Sequence, residues 1–132
     1  MYREIVLDHF SKPRNVGEIE NPDGYGQAES SACGDVIEVF IRVDEGHLAD
    51  IKYRTFGCAA AIASSSFASE LVTGKALDTV MEITDAEIAD QLGLPEFKYH
   101  CSVMVMRALH QAIEDYYAKH PEANPHQTAP SD

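Results

Sequence analysis

The alternation of apolar and polar residues is clearest in the middle of the chain, where it predicts a β-hairpin. Odd-numbered positions are apolar through residues 36–43, and the same two-residue period returns through residues 48–56. The intervening Asp-Glu-Gly-His stretch is typical of a turn. Each strand keeps one polar face, which indicates an antiparallel sheet covered by helices on one side only. We expect a third, short strand at residues 27–31.

Apolar spacing of three to four residues predicts helices before and after this hairpin. The first would end before Pro13 and use Tyr2, Ile5, Val6 and Phe10 as its apolar positions. Residues 15–26 are rich in glycine and are expected to form a loop. Further helices are predicted from Cys58 or the next residue to Gly74, over residues 77–83, from the capping box at residues 84–87 to Gly93, and over residues 99–120.

These elements predict a single α+β domain over residues 1–120, built from a small three-stranded antiparallel sheet with helices packed on one face. Residues 121–132 contain three prolines and few apolar side chains, so we expect a disordered C-terminal tail there. A chain of 132 residues can bury a core without metal or disulfide support. A bound metal would therefore be functional rather than structural.

The excess of acidic residues limits the kinds of partner that this protein is expected to bind. Ten basic residues against 22 acidic ones give a formal net charge of −12. This disfavours nucleic acid and anionic membrane surfaces, which attract basic proteins, and it favours basic protein partners. The sequence begins without a secretory signal pattern and has no apolar run of membrane-spanning length, so a cytoplasmic location is expected.

The three cysteines are the candidate reactive and metal-binding residues. Cys33, Cys58 and Cys101 are odd in number and widely spaced, as free thiols in a reducing compartment would be. Each lies at a junction between predicted elements, where side chains can converge. Gly34 and Gly57 beside them allow unusual backbone conformations or close approach.

Two further metal-ligand residue types adjoin these thiols, namely Asp35 and His100. Thiolates with an imidazole select zinc or iron–sulfur iron, whereas a carboxylate matches either metal poorly. The mixture indicates a site that releases what it binds. Cys101, near a helix N-terminus and beside an imidazole, is predicted to have a lowered pKa and to be the best nucleophile.

The same residues also allow plainer interpretations. A lone cysteine is usually a small buried apolar residue, and Ser64, Ser65 and Ser66 are expected to be small residues that face a neighbouring helix. The remaining histidines are expected at solvent-exposed or helix-surface positions; they are His9, His47, His110, His120 and His126.

Four separated motifs, in order, resemble a known family. They are Asp-His-Phe with Pro-Arg-Asn-Val-Gly at residues 8–17, Ala-Cys-Gly-Asp-Val at 32–36, Thr-Phe-Gly-Cys with Ala-Ile-Ala-Ser-Ser-Ser at 55–66, and Lys-Tyr-His-Cys-Ser at 98–102. This chain resembles iron–sulfur cluster assembly scaffolds of the IscU type, equivalently the N-terminal domain of NifU, over about residues 2–118.

The resemblance implies a scaffold rather than an enzyme. Such a protein accepts persulfide sulfur from a cysteine desulfurase and ferrous iron (Fe²⁺), uses electrons from a ferredoxin or other donor, builds a transient [2Fe-2S] cluster, and passes it to apo-proteins. It further implies that Cys33, Cys58 and Cys101 are thiolate ligands and Cys101 the persulfide acceptor. Asp35 would keep the cluster labile, and His100 would bind the initial metal or the cluster. Zinc (Zn²⁺) is expected in purified samples.

Several alternatives stay open at this point. The segment at residues 94–98 reads Leu-Pro-Glu-Phe-Lys instead of the Leu-Pro-Pro-Val-Lys motif of scaffolds served by an Hsp70/J-protein pair, so the resemblance does not extend to that chaperone site. A zinc-bound sulfur carrier and a zinc-stabilised interaction module are the rival functions. His100 and the spacing of 43 residues from Cys58 to Cys101 favour the scaffold over the sulfur carrier. The fourth ligand is Asp35 or His100, and the cluster is held by a monomer or bridged in a homodimer.

Overall fold

The computed structural model of the protein describes residues 4–30 and 34–123. Its elements follow one another as α1 (Glu4–Ser11), β1 (Gly24–Ser30), β2 (Asp35–Asp44), β3 (His47–Phe56), α2 (Ala59–Val72), α3 (Leu77–Glu82), α4 (Asp85–Leu92) and α5 (Tyr99–Lys119). Short 3-10 turns at Glu96–Lys98 and Pro121–Ala123 precede and follow α5. The predicted tail beyond Ala123 lies outside the described residues.

The three strands form one antiparallel sheet in the order β1-β2-β3, which confirms the predicted fold class. The inner face of the hairpin buries Ile37, Val39, Ile41 and Tyr53. On the outer face Glu38 accepts hydrogen bonds from Arg54, as expected for a solvated surface. Helices α2 and α5 pack against the inner face, and α1 and α4 pack on these two helices.

Strand β1 begins three residues earlier than predicted, at Gly24, so part of the expected loop is strand. Its two glycines lie directly against α5. A methyl group at Gly26 would overlap the carbonyl oxygen of Ala108, and one at Gly24 would overlap that of Ala112. Glycine is therefore required here by the close approach of two backbones, because neither residue has a positive φ.

Side chains of α5 also cover the outer edge of β1. The backbone N–H of Tyr25 donates to the Asp115 carboxylate at 2.9 Å, and the N–H of Gln27 donates to the Gln111 side-chain oxygen at 2.6 Å. These bonds satisfy backbone groups that no strand in the described part of the chain pairs with. Strand and helix are thus joined both by close packing and by hydrogen bonds.

Helix α2 occupies the centre of the domain, where it packs against α1, β3, α4 and α5. Its buried positions are mostly alanine and serine, which permit neighbours to approach closely: Ala60, Ala61, Ala63, Ser64, Ser65, Ser66, Ala68, Ser69 and Val72. The three consecutive serines, predicted to be small helix-facing residues, are all buried in this packing.

The expectation for His9 is wrong, since this side chain is buried between α1 and α2. Its Nδ1 lies 2.7 Å from the Ser66 hydroxyl, and its Nε2 lies 3.7 Å from a Glu70 carboxylate oxygen. Burial lowers the pKa of His9, and the nearby Arg14 charge acts in the same direction. Phe10, assigned to the apolar face, is instead 43% exposed.

Among the other histidines, His47 and His120 are exposed, as predicted. His110 is half-buried, and burial lowers its pKa. His126 and Tyr2 lie outside the described residues.

The predicted helix ends agree closely with the structure. The Thr84 hydroxyl accepts a hydrogen bond from the backbone N–H of Glu87, and Gly93 ends α4 in the left-handed conformation. Across residues 4–30 and 34–123, no helix is both long enough and apolar enough to cross a lipid bilayer.

Candidate metal centre

Three element junctions meet at one end of the domain. Asp35 is the first residue of β2, Cys58 is the N-cap of α2, and His100 and Cys101 lie in the first turn of α5. Adjacent residues of a regular helix point about 100° apart. In this first turn, which follows the 3-10 turn at Glu96–Lys98, His100 Nε2 nevertheless lies 3.6 Å from Cys101 Sγ. Cys33, the remaining predicted ligand, lies outside the described residues.

The donor atoms of these four side chains form a ring with nearly equal sides. Cys58 Sγ lies 3.8 Å from Cys101 Sγ, and Cys101 Sγ lies 3.6 Å from His100 Nε2. His100 Nε2 is 3.8 Å from Asp35 Oδ2, and Asp35 Oδ2 is 3.9 Å from Cys58 Sγ. Donor atoms of Asp35, Cys58 and Cys101 all lie within 4.8 Å of one another.

The donors of Asp35, Cys58 and Cys101 suit three ligand positions around a small tetrahedral metal ion. Zinc binds sulfur, nitrogen and oxygen donors at about 2.0–2.3 Å, and the edges of such a tetrahedron are about 3.3–3.8 Å long. The four measured sides lie inside or just above that range. Modest contraction of Asp35, Cys58 and Cys101 would therefore bring their donors to bonding distance of a common ion, with His100 beside Cys101 and Asp35.

The site is largely enclosed by the protein. Cys101 is fully buried and Asp35 is 2% exposed. Cys58 is partly buried, and the His100 side chain is 34% exposed. A reactant approaching from solvent therefore meets Cys58 and His100 before it meets Cys101.

The prediction of a lowered pKa for Cys101 is wrong. Burial raises the pKa of this thiol well above the ordinary thiol range, and the neighbouring Cys58 and Asp35 add to the effect, whereas Lys98 opposes it. The positive end of α5 is thus outweighed by desolvation and by two acidic neighbours. Without a bound cation Cys101 is a protonated thiol at neutral pH, and metal binding would displace that proton.

The two glycines beside the cysteines have different roles. Gly34 has a φ of +73°, in the left-handed region, and a methyl group there would meet none of the described residues within 4 Å. Gly57 has no such φ, but a methyl group there would meet the Asp35 side chain. The sequence indicated both possibilities without assigning one to each residue.

Comparison with known proteins finds a family model and relatives that agree with one another. The model of the NifU-like N terminal domain matches residues 1–123. "Iron-sulfur cluster assembly scaffold protein IscU 1" of Archaeoglobus fulgidus is 48% identical over 120 residues, which are 90% of this chain and 78% of that protein. "Iron-sulfur cluster assembly scaffold protein IscU" of Escherichia coli is 46% identical over 122 residues, which are 89% of this chain and 95% of that protein.

Solved structures share the fold. The N-terminal part of a nitrogen-fixing NifU-like protein from Brucella abortus superposes with a TM-score of 0.73 at 19% identity, covering 89% of this chain and 94% of that one. The family is shown by the match of its model over residues 1–123 and by the 48% identity to the Archaeoglobus relative, so the chain belongs to the NifU-like N-terminal domain family.

Proposed function

We propose that this protein is a scaffold on which a transient [2Fe-2S] cluster is built from ferrous iron and desulfurase-derived persulfide sulfur and from which it passes to apo-proteins. The observation that carries the proposal is the ring formed by Asp35, Cys58, His100 and Cys101. The printed names of the Archaeoglobus and Escherichia relatives support it. Cys33, two positions before Asp35 in the sequence, is the proposed third thiolate.

The donor set is suited to a cargo that must leave again. Thiolates hold iron of an iron–sulfur cluster firmly, and a carboxylate is a harder and less suitable donor. Asp35 Oδ2 lies close to both Cys58 Sγ and His100 Nε2, so the carboxylate competes for iron at positions a thiolate or imidazole could hold. We infer that Asp35 keeps the cluster labile and that Asp35 or His100 supplies the fourth position.

Cys101 is the proposed sulfur acceptor. After losing its proton, its sulfur attacks the outer sulfur of the desulfurase persulfide; the persulfide S–S bond breaks, and the desulfurase cysteine leaves as a thiolate. Conversion of the transferred sulfur to sulfide needs two electrons, which a ferredoxin or other donor supplies. Because Cys101 is buried behind Cys58 and His100, the desulfurase must open or enter this end of the domain to deliver sulfur.

The remaining partners follow from charge and ligand chemistry. A net charge of −12 favours a desulfurase, electron donor and apo-acceptors that present basic surfaces. Zinc fits the same ring, so we expect a share of purified protein to carry Zn²⁺. A reducing compartment such as the cytoplasm would keep the thiols free.

Anaerobic incubation with ferrous iron, cysteine, a cysteine desulfurase and a reductant separates the scaffold from its rivals. A scaffold develops the visible charge-transfer bands of a [2Fe-2S] centre. A zinc-bound sulfur carrier gains the mass of sulfur on Cys101 without colour, and an interaction module does neither. Full-rate cluster assembly by a Cys101→Ser variant would contradict the assigned acceptor.

Asp35→Ala tests the lability assignment. Chelator-driven loss of a preformed cluster should be slower in this variant than in the parent, because the competing carboxylate is gone. The rate of cluster loss is measured from the decay of visible absorbance. Equal rates in the variant and the parent would refute the role proposed for Asp35.

A further inference from the structure

We propose that Gly57 is a positioning residue: its missing side chain provides the space in which the Asp35 carboxylate is held against Cys58 and His100. The consequence for cluster release rests on the proposed function, whereas the steric claim does not. The two are therefore tested by separate measurements.

The space that a side chain at position 57 would need is already filled by Asp35. A methyl group built on Gly57 would overlap Asp35 Oδ1, lie 2.7 Å from Cγ and lie 3.1 Å from Cβ. The overlap with Cγ means that turning the carboxylate about its terminal bond does not relieve the contact. The whole Asp35 side chain would have to change its χ1 rotamer.

Backbone conformation does not explain the glycine. Gly57 lies outside the left-handed region, unlike Gly34, so an alanine could adopt its backbone angles. In such a position replacement of glycine by alanine normally stabilises a protein slightly, because the unfolded chain becomes less flexible. Any loss in the Gly57→Ala variant therefore comes from the contact with Asp35.

The Asp35 side chain cannot move far without losing its contacts with Cys58 and His100. Its side chain is 3% exposed, and Oδ2 lies 3.9 Å from Cys58 Sγ and 3.8 Å from His100 Nε2. A new χ1 rotamer would carry Oδ2 away from both atoms. Gly57→Ala should therefore reproduce the loss of the carboxylate from the ligand ring while Asp35 is still present.

The test is a double-mutant cycle of the parent, Gly57→Ala, Asp35→Ala and the double variant, titrated anaerobically with Co²⁺. Co²⁺ binds zinc-type sites and reports its ligands by visible absorption. Each single variant should bind Co²⁺ about tenfold more weakly and shift its ligand-field bands in the same way, as loss of one supporting carboxylate does. The double variant should match Asp35→Ala. Parent-like behaviour of Gly57→Ala, or a further tenfold loss in the double variant, would overturn the proposal.

Cluster release provides the second readout and moves in the opposite direction. Gly57→Ala should slow chelator-driven cluster loss, as Asp35→Ala does, although both weaken Co²⁺ binding. A general loosening of the fold would weaken Co²⁺ binding and speed cluster loss together, and that pattern would overturn the proposal. Phe56→Ala, at a neighbouring side chain that is 69% exposed, is the control and should leave the Co²⁺ affinity within about twofold of the parent.

Urea unfolding of the same four proteins tests the steric claim without any metal. Gly57→Ala should lower the unfolding midpoint in the parent but not in the Asp35→Ala background, where only the 3.1 Å contact with Cβ is left to adjust. An equal drop in both backgrounds refutes the steric claim. If the parent builds no cluster, the proposed function fails, while the Co²⁺ and urea cycles still decide the role of Gly57.

Discussion

Replacement of Gly26 by alanine tests whether the contact between β1 and α5 holds the sheet and the last helix together. The added methyl group would overlap the Ala108 carbonyl oxygen and lie 2.7 Å from the Ala112 nitrogen. Both opposing atoms belong to the main chain, so no rotamer change on α5 can make room. Strand and helix would have to separate by about 1 Å to restore ordinary contact distances.

The expected loss of stability follows from three contributions. Overpacking of this kind costs about 1–3 kcal/mol. Separation also weakens the hydrogen bonds from Tyr25 to Asp115 and from Gln27 to Gln111, each worth about 1 kcal/mol. Reduced flexibility of the unfolded chain returns about 0.4–1 kcal/mol. The net destabilisation is about 3 kcal/mol.

Urea denaturation followed by far-ultraviolet circular dichroism measures this change. With a slope of about 2 kcal/mol per molar urea, the midpoint should fall by about 1.5 M. Gln27→Ala, at the adjacent exposed position, removes no backbone bond and should shift the midpoint by no more than about 0.3 M. A Gly26→Ala midpoint within about 0.3 M of the parent would show that β1 does not pack on α5 as described.

Two further predictions concern the helices around the core. Because the pKa of His9 is lowered in the folded state, the unfolded chain binds this proton more readily, so stability should be full above the unfolded value of about 6.5 and fall as pH drops below it. In His9→Gln the fall in thermal midpoint between pH 7 and 5.5 should be smaller; an unchanged pH profile would contradict the buried neutral imidazole. Thr84→Ala removes the N-cap of α4 and should cost about 1 kcal/mol in chemical unfolding, whereas Thr84→Ser should cost little; equal losses would argue against the cap.

The elements that the sequence predicted well are those with local signals. The hairpin alternates with a two-residue period, α4 has its own capping residues, and α2 begins where the composition changes after Gly57. Each signal reflects a preference of the segment itself. Placement of the cysteines at junctions also pointed to one site; the structure brings Asp35, Cys58, His100 and Cys101 together, whereas Cys33 lies outside the described residues.

The features that the sequence did not reveal depend on tertiary contacts. Strand β1 lacks the alternating pattern because glycines face α5, so a helix more than 80 residues away in the sequence determines its start. Burial of His9 depends on Ser66 and Glu70 from a different helix, and a single histidine gives no sign of such partners. The direction of the Cys101 pKa shift could not be predicted without knowing that the thiol is buried. Burial raises its pKa by more than the helix terminus beside it lowers it.

Coverage of the β1 edge by Gln111 and Asp115 limits how another protein can recognise this domain. At Tyr25 and Gln27 the outward N–H groups already have acceptors, so an incoming extended peptide could not extend the sheet there without first displacing two side chains of α5. A partner arriving at this side must recognise side-chain shape and charge instead of backbone. The same coverage removes a template for the edge-to-edge association of strands that leads to aggregation.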